Sequence, residues 1–234
     1  MANQCQVAII IPVFFEHKTI SKVLTDINDA LTEKVRVYLI ADSESDPTLD
    51  VARVASKGHS YQLSCLVQNG AAGPTEAIKL GLNIAREPFL VLMTGDDSDS
   101  PRDIPRLISM LRNGADLAVA SRYTKGGQHL NGPALKHFLS WLAGWLLKIL
   151  KGIGTNDPTN LYKAVSRDFL SKITIESRYG FTLGLELVAK VNSFGGSIME
   201  APTIWQERTT GHSNFKMFRW LPTYLYWFIR VLRS

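Results

Sequence analysis

Val7-Ala-Ile-Ile-Ile-Pro-Val13 is an unbroken apolar run, the pattern of a strand covered on both faces in a parallel sheet. After it the period changes. Ile20, Val23, Leu24, Ile27 and Leu31 recur three and four positions apart, which predicts a helix with one apolar stripe. The alternation then repeats: Val35 to Ile40 reads as a strand ending at Ala41-Asp42, Thr48 to Ser56 as a helix, and Gln62 to Gln68 as a strand. Thr75 to Ala85 reads as a helix, Phe89 to Met93 as a strand, Ile104 to Arg112 as a helix and Leu117 to Ala120 as a strand. Strands alternating with helices at this spacing predict an α/β fold, a parallel doubly wound sheet joined by right-handed crossovers. In such sheets ligands bind outside the carboxyl ends of the strands. Glu16, Asp42 and the run Asp96 to Asp99 each follow a predicted strand and are expected to meet in one crevice.

Beyond Arg122 the pattern differs. No acidic residue occurs until Asp157, and Phe138, Trp141, Leu142, Trp145, Leu146 and Ile149 form a helical stripe flanked by Lys136, Lys148 and Lys151. The stretch from Arg208 to Ser234 also lacks acids and sets Phe215, Phe218, Trp220, Tyr224, Tyr226, Trp227 and Phe228 among Lys216, Arg219, Arg230 and Arg233. Two basic amphipathic segments rich in Trp and Tyr suit a membrane interface. For Phe138 to Leu150, packing on the domain's own core is an equally good reading. Neither apolar stretch reaches the roughly 20 residues needed to span a bilayer. The polar start, Met1 to Gln6, predicts no secretory signal.

At 234 residues and 45% hydrophobic content the chain suits one large α/β domain. Its charge is divided: 11 Lys and Arg against 15 Asp and Glu up to Asp116, then 15 against 6. A basic half attracts nucleic acid, an anionic membrane or a phosphorylated substrate. Aromatic residues at helical spacing fit an amphipathic face and not base stacking, so no nucleic acid is expected. Cys5 and Cys65 form no metal or redox pair, as befits a reducing compartment. His17, His59, His129, His137 and His212 show no metal-ligand spacing. Asp96, Asp97 and Asp99 after a strand suit Mg2+ or Mn2+, although such a loop also serves as a solvated turn and cap before the helix from Ile104.

The succession of motifs is more specific. Pro12-Val13-Phe14-Phe15-Glu16, Asp42-Ser-Glu-Ser-Asp46 and Gly95-Asp96 before Ser98-Asp99-Ser-Pro101 come first. Ser121-Arg122-Tyr123, Gly126-Gly127, Lys136, Ser140, Asp157-Pro-Thr-Asn160, Tyr162-Lys163, Glu200-Ala-Pro202, Arg208, Gly211 and Ser213 follow. Over essentially the whole chain this order resembles family 2 inverting glycosyltransferases of the GT-A fold, and among them the dolichyl- or polyprenyl-phosphate sugar synthases. The resemblance implies a mostly parallel, Rossmann-like sheet with basic amphipathic C-terminal helices. Residues 1–120 would form the nucleotide-sugar half, and 121–234 the acceptor-binding, membrane-facing half. Pro12, Val13, Glu16, Asp42 and Gly95 would hold the nucleotide. Asp96, with Asp99 or Asp97, would hold Mg2+ or Mn2+. Arg122, Lys136, Ser140, Arg208 and Ser213 would gather the diphosphate and the acceptor phosphate, with Asp96, Arg122 and Arg208 closest to the chemistry. The partners implied are a nucleoside diphosphate sugar, a polyprenyl phosphate and the cytoplasmic face of a membrane, to which the protein would bind peripherally.

The chain departs from the family pattern at three places: Phe14-Phe15 replaces Tyr-Asn, Ala41 replaces the first of two aspartates, and Thr94 stands at the first carboxylate of Asp-x-Asp. Two alternatives follow. Transfer to a glycan hydroxyl would demand a base, and the Glu-Asp pair and Gln-x-x-Arg-Trp motif of processive relatives are absent: Leu187 follows Glu186, and Arg219-Trp220 lacks the glutamine. A relative that binds nucleotide without turnover would draw its support from Thr94 and Ala41.

Overall fold

The computed structural model describes residues 5–207 and 217–233, with side chains from Trp220 onward in the second stretch. Arg208 and Ser213, singled out above, lie outside the described residues, as does His212.

Every residue of β1 (Val7–Val13) is buried, because the strand is sandwiched between two helical layers. Val7, Ile9, Ile11 and Val13 point into one core, with α1 (Ile20–Ala30) and α2 (Pro47–Ala55), while Ala8 and Ile10 point into the other. This is the two-fold alternation of a strand with both faces covered. β1 pairs in parallel with β2 (Val35–Ala41), and β2 with β3 (Gln62–Val67). On its other side β1 pairs in parallel with β4 (Phe89–Leu92). α3 (Pro74–Ile84) covers the second face, and α4 (Ile104–Arg112) the first. The helix and strand bounds read from periodicity thus hold to within a few residues through β5 (Leu117–Ser121).

The later half departs from a purely parallel sheet. It continues through β6 (Gln128–Leu130), α5 (Ala134–Lys151) and β7 (Lys163–Ser166), then α6 (Arg167–Leu170) and α7 (Leu183–Ser193). β8 (Ile198–Pro202), β9 (Ile204–Gln206) and α8 (Met217–Arg233) complete it. The main sheet has the order β3-β2-β1-β4-β7-β5-β8, and β6 pairs with β9 separately. β7 is antiparallel to both neighbours, pairing Lys163 with Leu92 and Ser166 with Phe89. Its first residue therefore lies at the carboxyl end of β4, and the turn before it opens onto that end. A four-residue strand carrying a lysine has no period to read, so the sequence did not disclose it.

α8 packs on α7 and α5 and buries Trp227 and Val231. α5 buries only Gly144 and Leu147. Phe138, Trp141, Trp145 and Ile149 on α5, with Leu225 and Ile229 on α8, are exposed, so α5 is not a core helix. Among the described residues, no helix is long and apolar enough to cross a membrane.

Gly81 shows how tightly the second layer sits: a Cβ there would fall 2.6 Å from Ile10 Cγ2 and 2.8 Å from Ile40 Cδ1. Gly81→Val is expected to destabilise the fold by about 1–3 kcal/mol through overpacking. A urea midpoint unchanged from the parent would show that α3 is free to move off β1.

Candidate functional site

The carboxyl ends of β1, β2 and β4 open into one cavity of about 830 Å³. Pro12, Val13, Glu16, Asp42, Asp96, Asp99, Arg122, Lys136 and Ser140 all line it. The expected convergence is therefore observed. Gly95 is different. It lies behind the wall, where a Cβ would fall 2.6 Å from Glu16 Oε2 and 3.0 Å from Val13 Cγ1, and its carbonyl accepts from Thr19 Oγ1 at 2.8 Å. A side chain there would push the Glu16 carboxylate off its place against the acidic loop. Asp42 is oriented by Gln68 Nε2 and by Gly73 N, both donating to Oδ1, the latter at 3.2 Å. Phe14 stands half-exposed at the cavity lip against the edge of Phe15. Asp46 caps α2 through Thr48 N and accepts from Phe15 N, tying the loop after β1 to that after β2.

The acidic loop is organised by Thr94, the residue in place of the family's first carboxylate. Its hydroxyl lies 2.7 Å from Asp96 Oδ1 and 3.0 Å from Asp99 Oδ2, and its backbone N donates to Asp99 Oδ2 at 2.9 Å. Two carboxylates are thereby drawn to one small hydroxyl. Burial pushes the Asp99 carboxyl up to about 7, with the nearby Asp96 charge adding and the Thr94 hydrogen bonds opposing. Asp97 does not join them. With φ at 64° it turns away from the cavity, and its Oδ1 lies 2.7 Å from Lys22 Nζ on α1. Of the two carboxylates that the sequence offers beside Asp96, Asp99 is the one that shares the Thr94 hydroxyl with it. Among the described residues no three His, Cys, Asp or Glu side chains come together as a metal cluster. Two hard carboxylates nevertheless fit a Mg2+-like ion, which commonly takes one or two protein carboxylates and completes its shell with substrate phosphate and water.

Across the cavity the charge reverses. Arg122 Nε and a terminal nitrogen lie 2.7 and 2.8 Å from the two oxygens of Asp157, and Arg122 N donates to Asp157 Oδ2 at 3.0 Å. Burial opposes both charges, yet each partner outweighs it for the other: Arg122 is held above its ordinary value and Asp157 below. The same guanidinium reaches Ser140 Oγ and Thr159 Oγ1, both at 3.3 Å. Its plane lies over the rings of Tyr123 and Trp205, and Lys136 Nζ sits 5.4 Å from the Trp205 centroid. Asp157 stands in a motif to which the sequence assigns no role, and Trp205 stands in none. Neither had a sequence signal of its own, because their partners arrive from distant elements. His129 and His137 pack in an aromatic cluster with Trp205, and burial pushes His129 down to about 4.

From the cations the cavity continues between α5 and α8, along Leu139, Leu142, Leu146, Leu221, Leu225 and Phe228. It is thus acidic at one end, cationic in the middle and apolar at the other.

Because the native Asp99 proton is held to about 7, against roughly 3.9 in an unfolded chain, the native state binds more protons across that window. Stability contributed there falls as pH rises, by up to about 1.4 kcal/mol per unit. Asp99→Asn lacks this loss, so its melting temperature should gain on the parent between pH 5 and 8. Parallel melting curves would sink the assignment of a buried, proton-holding Asp99.

Comparison with known proteins gives a consistent grouping. A family model described as glycosyl transferase family 2 matches residues 8–174. The undecaprenyl-phosphate mannosyltransferase of Micrococcus luteus is 31% identical over 89% of this chain and 86% of its own. The polyprenol monophosphomannose synthase of Mycolicibacterium smegmatis is 28% identical over 88% of this chain and 79% of its own. Among solved structures, glucosyl-3-phosphoglycerate synthase from Mycobacterium tuberculosis, crystallised with Mn2+, UDP and glucosyl-3-phosphoglycerate, superposes with a TM-score of 0.70 at 17% identity. That likeness covers 98% of this chain and 79% of the other, and it shows the GT-A fold.

Proposed function

We propose that this chain, which belongs to glycosyl transferase family 2, moves one sugar from a nucleoside diphosphate donor to a polyprenyl phosphate with inversion. The observation that carries the reading is the continuity of the cavity, which joins an acidic nucleotide end, a pair of cations and an apolar cleft between two amphipathic helices. An amphiphile with a phosphate head and a hydrocarbon tail matches that sequence of surfaces. The names of the two relatives, both lipid-phosphate mannosyl enzymes, support the same acceptor class.

In this reading residues 1–120 supply the donor half. Pro12, Val13, Glu16 and Asp42 hold base and ribose, with Gly95 acting through the packing of Glu16. Asp96 and Asp99 would hold Mg2+ or Mn2+, which would supply charge neutralisation for the departing diphosphate. Residues 121–234 supply the acceptor half: Arg122, Lys136 and Ser140 hold the acceptor phosphate, a role that the family resemblance also gives Arg208 and Ser213, which lie outside the described residues. An oxygen of that phosphate attacks the anomeric carbon from the face opposite the leaving group. The bond to the diphosphate breaks, its electron pair departs with the nucleoside diphosphate, and the configuration inverts. The acceptor is already an anion, so positioning and charge stabilisation suffice and no base is needed. The exposed Phe138, Trp141, Trp145, Leu225 and Ile229 would seat the protein peripherally on the cytoplasmic face of a membrane.

One observation favours a second acceptor class. Glu207 lines the cavity, and its Oε2 is buried with no hydrogen-bond partner among the described residues, as a base for a hydroxyl acceptor would be placed.

The test is transfer of labelled sugar from UDP- and GDP-sugars into short polyprenyl phosphate, with and without Mn2+. Asp96→Ala and Arg122→Ala are each expected to lower turnover by roughly 100-fold or more, and Glu207→Gln to leave it near the parent. No lipid label from any donor would overturn the reading; if nucleotide binding persists, weight moves to a hydroxyl acceptor or a non-catalytic binder. Separately, Trp141→Ala/Trp145→Ala should reduce partition onto anionic vesicles roughly tenfold or more, given the area each ring buries. Undiminished sedimentation with vesicles would remove α5 from the membrane contact.

A further inference from the structure

Lys163 is the least expected residue of the sheet. It sits on β7 between Leu92 of β4 and Val119 of β5 and is wholly buried. A lysine is almost never fully buried unless its ammonium is paired. Here the partners are the carbonyl oxygens of Pro158, at 3.2 Å, and Asn160. Those carbonyls belong to the turn that begins at Asp157, the carboxylate that grips Arg122.

The turn is held from several other sides. Gly184 on α7 lies so close that a Cβ would meet Asn160 O at 2.7 Å, and a Cβ on Gly144 of α5 would meet Asn156 O at 1.9 Å. Glu200 on β8 accepts from Asn156 N at 2.7 Å and from Thr155 Oγ1 at 3.1 Å. These contacts fix the turn's backbone from α5, α7 and β8, and Lys163 adds the donor that pairs the Pro158 and Asn160 carbonyls from beneath. Burial pushes the Lys163 ammonium down to about 7, whereas the Asp157 charge favours its charged form. What the lysine adds is direction: it draws two carbonyls inward, which leaves the Asp157 carboxylate facing Arg122.

We propose that Lys163 is a positioning residue for sugar transfer, fixing the 157–160 turn so that Asp157 presents Arg122 to the phosphates. This rests on the reading of Arg122 as a phosphate-gripping group. Lys163 touches no substrate, so its removal should leave the donor end intact.

The experiment compares the parent with K163M, K163Q, D157N, K163M/D157N and R122A, using the active sugar donor and short polyprenyl phosphate. UDP and GDP affinity are measured in parallel. K163M is expected to bind nucleotide as the parent does and to lose on the order of 100-fold in turnover, the cost of a small misplacement. K163Q, which keeps hydrogen-bond donors, should recover part of that loss. In the D157N background K163M should cost little more, because both act through one group. Parent-like turnover in K163M, or a full second loss in the double variant, would overturn the proposal. If K163M does not fold, K163Q and K163Q/D157N decide by the same criterion. A strong loss in R122A with additive effects at 157 and 163 would overturn this proposal alone; undiminished transfer by R122A would overturn the reading of Arg122 and this proposal with it.

Discussion

The buried ion pair between Arg122 and Asp157 constrains more of this protein than any other contact. Removing two charges from water costs several kcal/mol per ion unless geometry and further hydrogen bonds offset it. Here the pair is bidentate, a backbone N–H joins it, and two hydroxyls approach the guanidinium. That completeness forces the surroundings. β7 has to enter antiparallel so that its leading turn meets the end of β5. Helices α5 and α7 must approach that turn through glycine, because a methyl group at either place would strike a carbonyl.

The cavity's polarity follows from how charge is distributed along the chain. Residues up to Asp116 are net acidic and build the β1, β2 and β4 end; later residues are net basic and build the opposite wall. A phosphate placed between them meets a field that changes sign across the cavity. In a water-poor space such fixed charges are worth more than at an open surface. The Thr94 hydroxyl keeps the acidic end compact by sharing itself between Asp96 and Asp99, so loss of the family's first carboxylate does not leave Asp96 isolated.

Much of this was legible in the sequence. The continuous run at Val7 to Val13 and the spacing of Ile20, Val23, Leu24 and Ile27 fixed the parallel half, because burial of two faces and of one stripe leave different periods. The acidic residues after each strand were legible for the same reason, since strand ends in a parallel sheet share one edge. β7 was not, being too short to show a period. Nor was the outward turn of Asp97, which depends on a left-handed backbone and on an ion pair with Lys22, 75 positions away in sequence. Gly95 carries the motif but lies behind the cavity wall beside Glu16, a placement that no period in the sequence discloses. The partner of Arg122 was hidden because the ion pair joins residues 35 positions apart.

The place of β7 also sets the order in which the molecule can be assembled. β1, β2 and β3 are neighbours in both chain and sheet, and their closure involves short loops. β5 does not pair with β4; the strand between them is made only after α5 has been synthesised. Long loops close at a greater entropic cost and slow the pairing that depends on them. On a ribosome the acidic wall is complete in sequence well before the cationic one, and Arg122 emerges without the carboxylate that neutralises it. The enzyme's two walls are therefore joined only once β7, the strand that follows the 157–160 turn, has been made.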